Sequence, residues 1–388
     1  MIGSKRTDWD PADPETALTL PSKYYFDREI FDREAETIFF PSWHCVCHVS
    51  EITNKGDFVK FDLLDQSVIV MRGEDGQIHA YHNVCQHRGT RLIEARRGSV
   101  KKLIVCPYHG WGYGHDGCLL NAPRTQNLKG FDKSDYGLKH VSAEVYASFV
   151  YINMDPKARS FADQMRGAEE TMRPFFPDLD DVELVNETDY IVDANWKTII
   201  DNAIEGYHFQ LSGPVHRDLA SLIDFEKYEM IDRGLWWDFK GPPIPVETAF
   251  GHPVAGEKYQ TNWFYNIQLW PVTTLYAFPY ADVIGTFNQI PLGPEKTLLR
   301  FGHYCPKGRP QSALSKAVVD WFNNELGPED IDLNLALQKG VHSFGFDQGR
   351  YMIDAERSAN SEHLLHHFHV LIHRALNGDP LTTVRAAE

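Results

Sequence analysis

Two short metal-ligand pairs constrain this chain more than any other feature of it. Cys85-Gln86-His87 is followed, after 18 intervening residues, by Cys106-Pro107-Tyr108-His109. Thiolates and imidazoles bind borderline and soft metals, so two mixed pairs on separate loops demand a fold that brings those loops together. Gly89 follows the first pair and Gly110-Trp111 the second, and each pair emerges from a strand-forming run. The spacing therefore predicts a small β unit closed by two ligand loops.

The four ligands admit two metal groups. One is a tetrahedral Cys2His2 zinc ion. The other is a two-iron, two-sulfur Rieske centre, with two thiolates on one iron and two imidazoles on the other. The histidines of a common zinc finger stand on a helix, whereas these follow strands, which favours the cluster. His44-Cys45-Val46-Cys47-His48 is a decoy by composition. Its period-two alternation after Trp43 reads as a half-buried strand with thiols among small apolar side chains. The six cysteines are scattered, with Cys118 and Cys305 isolated, so no disulfide framework is expected.

A chain of 388 residues exceeds the usual size of one core, and its texture changes near Pro156. Between Lys55 and Met154 short β-branched runs alternate with turns such as Gly73-Glu74-Asp75-Gly76. Beyond Pro156 the pattern predicts a helix over Phe161 to Met172, a strand near Asp189 to Val192, and a helix from Asn195. Strands follow from Trp263 through Tyr304, then helices over Ala313 to Leu326, Pro328 to Gly340 and Ser361 to Leu376. This order predicts an α+β protein: an arm over 1–40 packed on the second domain, a β domain over 41–155, and a catalytic domain over 156–388.

A cluster of this kind carries one electron and does no substrate chemistry, so an acceptor is expected in the larger domain. Asn195-Trp196-Lys197 opens a helical stretch that continues to Glu205-Gly206-Tyr207-His208 and then reaches His216. On a helix Glu205 and His208 share a face. In an unbroken helix His208 and His216 stand ~12 Å apart, but Gly213-Pro214 permits a reversal that returns His216 toward His208. A carboxylate completes a 2-His-1-carboxylate iron site with open positions. Glu329, Asp330 and Asp332 compete for that place, all near the start of one predicted helix, where acids also serve the helix dipole.

The cluster motif, Asn195-Trp196-Lys197, Asp201-Asn202-x-x-Glu205-x-Tyr207-His208, His216, and Glu329-Asp330-Ile331-x-Leu333 before Gln338-Lys339-Gly340 occur in that order. Along nearly the whole chain this order resembles the α (oxygenase) subunits of Rieske-type non-heme iron oxygenases. The resemblance implies Cys85, His87, Cys106 and His109 on the cluster. It also implies Asp330 with His208 and His216 on a mononuclear Fe(II), in a catalytic domain whose curved antiparallel sheet is covered by helices. It further implies a homotrimer in which Glu205 links the cluster of one subunit, at His87 or His109, to the iron of its neighbour. A separate flavin or ferredoxin-type reductase would supply electrons from NADH or NADPH. Two departures stand out: Glu replaces the more common Asp at 205, and Gln210 to Gly213 reads as an insertion between the histidines. The first is found in the branch resembling carnitine, betaine and stachydrine N-demethylating monooxygenases.

Three functions follow for comparison: oxidative N-demethylation of a small cationic N-methyl compound, hydroxylation of an aromatic ring, and electron carriage alone. The carrier needs only the first domain. A formal charge of -16 disfavours nucleic acid and anionic membrane as partners. No stretch approaches the apolar length of a membrane span, no signal-peptide core follows Met1 to Asp13, and the cytoplasm is the expected compartment. No G-x-G-x-x-G turn marks a bound nicotinamide or flavin. Trp236, Trp237, Trp263, Phe264, Tyr265 and Trp270 form an aromatic-rich stretch able to supply a cage for a cation, although core packing is their more ordinary use. The histidines from His363 to His373 read as solvated positions on an amphipathic helix.

Overall fold

Short strands joined by tight turns build the smaller of the two units into which the chain divides, Phe40–Asp163. The computed structural model describes residues 8–11, 13–176, 178–254 and 263–381. In the smaller unit a seven-stranded antiparallel sheet runs in the order His44–His48, Phe149–Asn153, His140–Tyr146, Ile78–His82, Gln66–Arg72, Asp57–Leu63, Arg97–Ser99. A three-stranded sheet of Ile104–Val105, Gly112–Tyr113 and Leu119–Asn121 lies beside it in the chain. The two metal-ligand pairs follow Ile78–His82 and Ile104–Val105, so each loop hangs from a strand end.

The strand His44–His48 is buried at all five positions, not half-buried. A register shift between Cys45 and Cys47 breaks the alternation and turns successive side chains inward. Burial raises both thiols above their ordinary range, which keeps them protonated and poor ligands.

The larger unit joins Met1–Phe39 to Gln164–Glu388. Its sheet also has seven antiparallel strands, in the order Val182–Val192, Lys296–Pro306, Ile284–Gly293, Thr273–Ala277, Phe264–Leu269, Trp236–Gly241, Glu229–Asp232. The principal helices are Trp196–Ala203, Pro214–Ala220, Ala313–Trp321, Gly327–Val341 and His363–Asn377. The architecture is thus α+β. Among the described residues no helix is long and apolar enough to cross a membrane.

Three further expectations change. The helix over Phe161 to Met172 is two short helices, Phe161–Gln164 and Ala168–Met172, parted at Gly167, whose φ of 86° no right-handed helix accommodates. The strand near Asp189 starts earlier and runs Val182–Val192, because it pairs with Lys296–Pro306 along its length, with a bulge between Leu184 and Asn186. The helix that begins after Asn195 stops at Ala203, so Glu205 and His208 lie in a turn beyond it. The polar start of the chain before residue 8, and residues 255–262 of the aromatic-rich stretch, lie outside the described residues.

The Asn-Trp-Lys triplet secures the N-terminal segment. The Asn195 side chain caps the helix by accepting from Lys197 N–H at 2.9 Å. Trp196 Nε1 donates to Glu34 Oε2 at 2.8 Å, and Lys197 Nζ donates to Glu34 Oε1 at 2.6 Å. Both charged side chains of that pair are 0% exposed. Truncating one partner leaves the other buried and unpaired. Glu34→Ala is therefore expected to lower unfolding stability by about 3–5 kcal/mol in denaturant titrations. Truncating Asp32, whose pair with Arg28 is exposed, should cost about 1 kcal/mol or less.

Candidate metal centres

The two loops of the smaller unit repeat one hydrogen-bonding scheme. Cys85 N–H donates to Thr90 O at 2.8 Å and Cys106 N–H to Trp111 O at 2.7 Å. Gly89 N–H returns to Cys85 O at 3.0 Å and Gly110 N–H to Cys106 O at 3.1 Å. Each glycine has a left-handed φ, 74° and 71°, which closes the loop at little steric cost. Two like loops thus present one thiol and one imidazole apiece.

The thiols and imidazoles occupy different depths. Cys85 and Cys106 are buried, whereas His87 and His109 are exposed, with ring centroids 4.7 Å apart. Trp111 stacks on His87 at 4.9 Å. Among the described residues no three of these four side chains bring ligand atoms within 4.8 Å of one another, as a zinc tetrahedron with bonds of ~2.0–2.3 Å requires. Paired thiols below and paired imidazoles above fit a two-iron group instead. Burial raises the Cys85 thiol, and neighbouring Cys106 adds to the rise against the Tyr113 hydroxyl, which lies 3.2 Å from Cys85 Sγ. Tyr113, which sequence reasoning missed, is a hydrogen-bonding group of the kind that tunes cluster potential.

In the larger unit His208, His216 and Asp330 bring ligand atoms within 4.8 Å of one another. His216 Nε2 stands 3.0 Å, and His208 Nε2 3.9 Å, from Asp330 Oδ1. Two donors ~2.1 Å from one metal at right angles stand ~3 Å apart, so the closer pair already matches adjacent coordination positions. Asp330 Oδ1 is buried and accepts no well-directed hydrogen bond, which leaves its lone pairs for a cation. The three residues fit a metal of the 2-His-1-carboxylate class.

A second carboxylate stands behind each histidine. Glu205 Oε1 meets His208 Nδ1, and Glu205 Oε2 accepts from His208 N–H at 3.1 Å. Glu329 Oε1 meets His216 Nδ1 at 2.6 Å and His216 N–H at 3.0 Å. With both Nδ1 atoms engaged, both Nε2 atoms are free to face Asp330. Glu329, which the sequence leaves in competition for the ligand position, thus orients His216 instead, and Asp332 has no part in the ligand group. Burial opposes protonation of His216, but contact with Asp330 and Glu329 outweighs it and raises that imidazole. Pro214 starts the helix that carries His216, and Gly213 precedes it. A Cβ on Gly213 would lie 1.9 Å from Glu329 Oε2, so the reversal and the Glu329 contact share one requirement.

A cavity of about 90 Å³ adjoins these ligands, room for roughly half a dozen water molecules. One face of the sheet forms much of its wall, because alternate residues of a strand point the same way. Phe239, Phe264, Asn266, Tyr276, Phe287 and Phe301 line it from successive strands. A wide π-helical turn, Phe322–Leu326, adds both of its terminal residues, and the Gly327–Val341 helix adds Asp330 and Asn334. None of the described lining residues is Lys or Arg.

Of the six aromatic residues expected as cage candidates, Phe264 alone lines this cavity. Trp263 and Tyr265, its chain neighbours, point oppositely and pack on Phe175 at 5.7 and 4.1 Å. Trp236 donates to Arg166 O at 3.2 Å, while Trp237 and Trp270 pack against Phe368. The late histidines also depart from expectation. His363, His366, His367 and His369 are buried, not solvated. His363 and His367 meet Met230 O and Gly234 O, and His369 joins Tyr351 and Asp201.

The family profile described as Rieske [2Fe-2S] domain matches residues 42–132. That described as ring hydroxylating alpha subunit (catalytic domain) matches residues 179–378. The chain is 34% identical to the carnitine monooxygenase oxygenase subunit of Escherichia coli (strain K12), over 93% of this chain and 94% of that one. Identity to the chloroplastic choline monooxygenase of Arabidopsis thaliana is 29%, over 95% and 86% of the two chains. The crystal structure of the quaternary ammonium Rieske monooxygenase CntA in complex with L-carnitine superposes with a TM-score of 0.84 at 30% identity, covering 96% of this chain and 99% of that one. Naphthalene 1,2-dioxygenase from Rhodococcus sp. shares the fold, with a TM-score of 0.78 at 20% identity over 93% and 95% of the chains.

The geometry ranks the three neighbouring acids. Asp330→Ala should abolish mononuclear iron binding and leave the visible spectrum of the cluster unchanged. Glu329→Ala should weaken iron binding by about 10–100-fold by releasing His216, and Asp332→Ala should leave it near the parent value. Iron titration of the three apo-variants checks the order.

Proposed function

This chain belongs to the Rieske-type non-heme iron oxygenases, and we propose that its substrate is a small quaternary ammonium compound, hydroxylated at a carbon bonded to nitrogen. It is a terminal oxygenase component with a Rieske cluster and a mononuclear iron, working with reductase-supplied electrons. When bound, the cluster passes electrons singly and the iron activates O2.

The observation that carries the substrate reading is the cavity at His208, His216 and Asp330. Aromatic rings make up much of its wall, and their faces attract cations; among the described lining residues its one acidic side chain is unopposed by any Lys or Arg. The curated relatives named above, one for carnitine and one for choline, are consistent with this chemistry.

In this reading Cys85 and Cys106 hold one iron of the cluster and His87 and His109 the other. His208, His216 and Asp330 hold the mononuclear iron. Glu205 and Glu329 keep both imidazoles in the tautomer that leaves Nε2 unprotonated. The phenylalanine walls exclude water from the reacting carbon. Glu205 would also be the residue standing between the cluster of a neighbouring copy in a homotrimer and the iron held here. Inter-subunit electron transfer is described for a quaternary ammonium Rieske monooxygenase of the same fold.

The net change is insertion of one oxygen atom into a C–H bond, the second leaving as water with two electrons and two protons. An N-hydroxymethyl product expels formaldehyde and a proton to give the tertiary amine. Removal of one methyl therefore predicts formaldehyde and demethylated amine in equal amounts, coupled to O2 uptake. Betaine, carnitine and choline, with naphthalene and benzoate as arene controls, form the panel. Release of trimethylamine would move the reacting carbon into the substrate's chain. A phenol or cis-diol with no turnover of any cation would replace the proposal by ring hydroxylation.

Electron transfer between copies has its own test. Co-assembly of Cys85→Ala chains with His208→Ala chains should restore activity that neither has alone, since some neighbouring pairs join an intact cluster to an intact iron site. Verified mixed assemblies that stay inactive would exclude this route.

A further inference from the structure

Six residues lie in one row across the sheet of the larger unit. Cross-strand pairing sets Phe239 opposite Asn266, Asn266 opposite Tyr276, and Tyr276 opposite Gly285. The row continues from Gly285 to His303 and on to Asn186. Directly paired residues share a face, so the row runs from the cavity wall into the sheet beside it. Gly285 is the gap in the row. A Cβ there would come within 2.0 Å of the Tyr276 ring. The ring thus lies over the glycine strand and sets its hydroxyl 2.9 Å from His303 Nε2, two strands away.

The hydrogen bonds along the row have one consistent direction. Asn186 Oδ1 accepts from Asn323 Nδ2 at 3.0 Å and from Thr188 Oγ1 at 3.1 Å, so it acts as an acceptor. His303 Nδ1, 3.2 Å from the same oxygen, must carry the ring proton. His303 is 1% exposed, and burial lowers its pKa to about 4, so the ring is neutral and Nε2 has only a lone pair. Tyr276 therefore donates its proton to His303. What its oxygen retains is lone pairs.

Asn334, 2% exposed, has the same polarity. Its Nδ2 donates to Asp330 O at 2.8 Å and to Asn202 Oδ1 at 3.4 Å, and its Oδ1 is buried without a partner. Both side chains line the cavity. A carboxylate or carbonyl placed against them meets lone pairs on lone pairs, whereas a cation or a polarised N–CH3 group meets acceptors.

We infer that Tyr276, polarised through the Gly285–His303–Asn186 row, is a specificity-determining residue that selects the cationic end of the substrate and turns away its anionic or neutral isosteres. This rests on the quaternary ammonium reading above. The phenol contributes an acceptor whose direction is fixed by the sheet, beyond the general attraction of the aromatic walls.

The test uses the holoenzyme, anaerobically, with choline and its uncharged isostere 3,3-dimethylbutan-1-ol as ligands in isothermal titration calorimetry. The parent should prefer choline. Tyr276→Phe keeps the ring and removes the oxygen; it should reduce that preference about tenfold, the worth of one charge-facing acceptor. Affinity for the isostere should stay within about twofold. His303→Leu retains the phenol but frees its proton to turn inward, and should lose the same preference, with the double variant no worse than either single. If Tyr276→Phe retains the choline preference, or weakens both ligands equally, the inference is wrong while the substrate proposal stands. A parent with no preference for the cation overturns both. Should His303→Leu fail to fold, Tyr276→Phe decides alone.

Discussion

The hydrogen bond from His208 and from His216 to the carboxylate behind each is the contact on which the candidate metal site of the larger unit depends. An imidazole offers a metal one lone pair, and it does so only when its other nitrogen keeps the proton. Glu205 provides for this locally, from the same turn as His208. Glu329 does it for His216 from 113 residues away, at the start of the helix that also carries Asp330. The Glu329 contact therefore ties two distant segments together at the point where three ligand atoms meet. Gly213 is part of the same device, since the Glu329 carboxylate occupies the space of its missing side chain.

Behind that contact lies a sheet whose period does most of the remaining work. One set of alternate residues supplies the aromatic wall, and Tyr265 of the opposite set packs on Phe175 and Phe176. The same helix that begins with Trp196 and Lys197 contributes Ile199 and Asn202 to the cavity, and its first turn is fastened to Glu34. Burying an ion pair costs desolvation that only close pairing offsets. Fastening the first turn to Glu34 in this way fixes where the helix sits.

The grouping of the candidate ligands was legible because ligand spacing survives in the linear order. Cys85, His87, Cys106 and His109 sit in loops with their own turn residues, and those loops fold by local hydrogen bonds. Glu205 and His208 also meet as expected, but in a turn beyond Ala203 rather than on a helix. The insertion-like segment before Gly213 proved compatible with His216 beside His208, since a reversal sets direction and not contour length. Glu329 was legible as an acid near the site; its partner was not, because the contact spans two segments.

The chain's order alone determined the α+β class, the two ligand loops and the short set of residues able to hold iron. These depend on local propensity, turn chemistry and side-chain identity, which a sequence carries directly. The tertiary structure decided which aromatics face the cavity and how its hydrogen bonds point. Trp263 and Phe264 are neighbours in sequence and lie on opposite faces, so which of them meets a ligand depends on which face the helices cover. The late histidines show the same limit. Their spacing describes a helix face, but only the packing of His363–Asn377 revealed carbonyls and Asp201 waiting for them instead of water. Tyr276, Gly285, His303 and Asn186 have no common motif because cross-strand register, which no linear spacing records, is what puts them in one row.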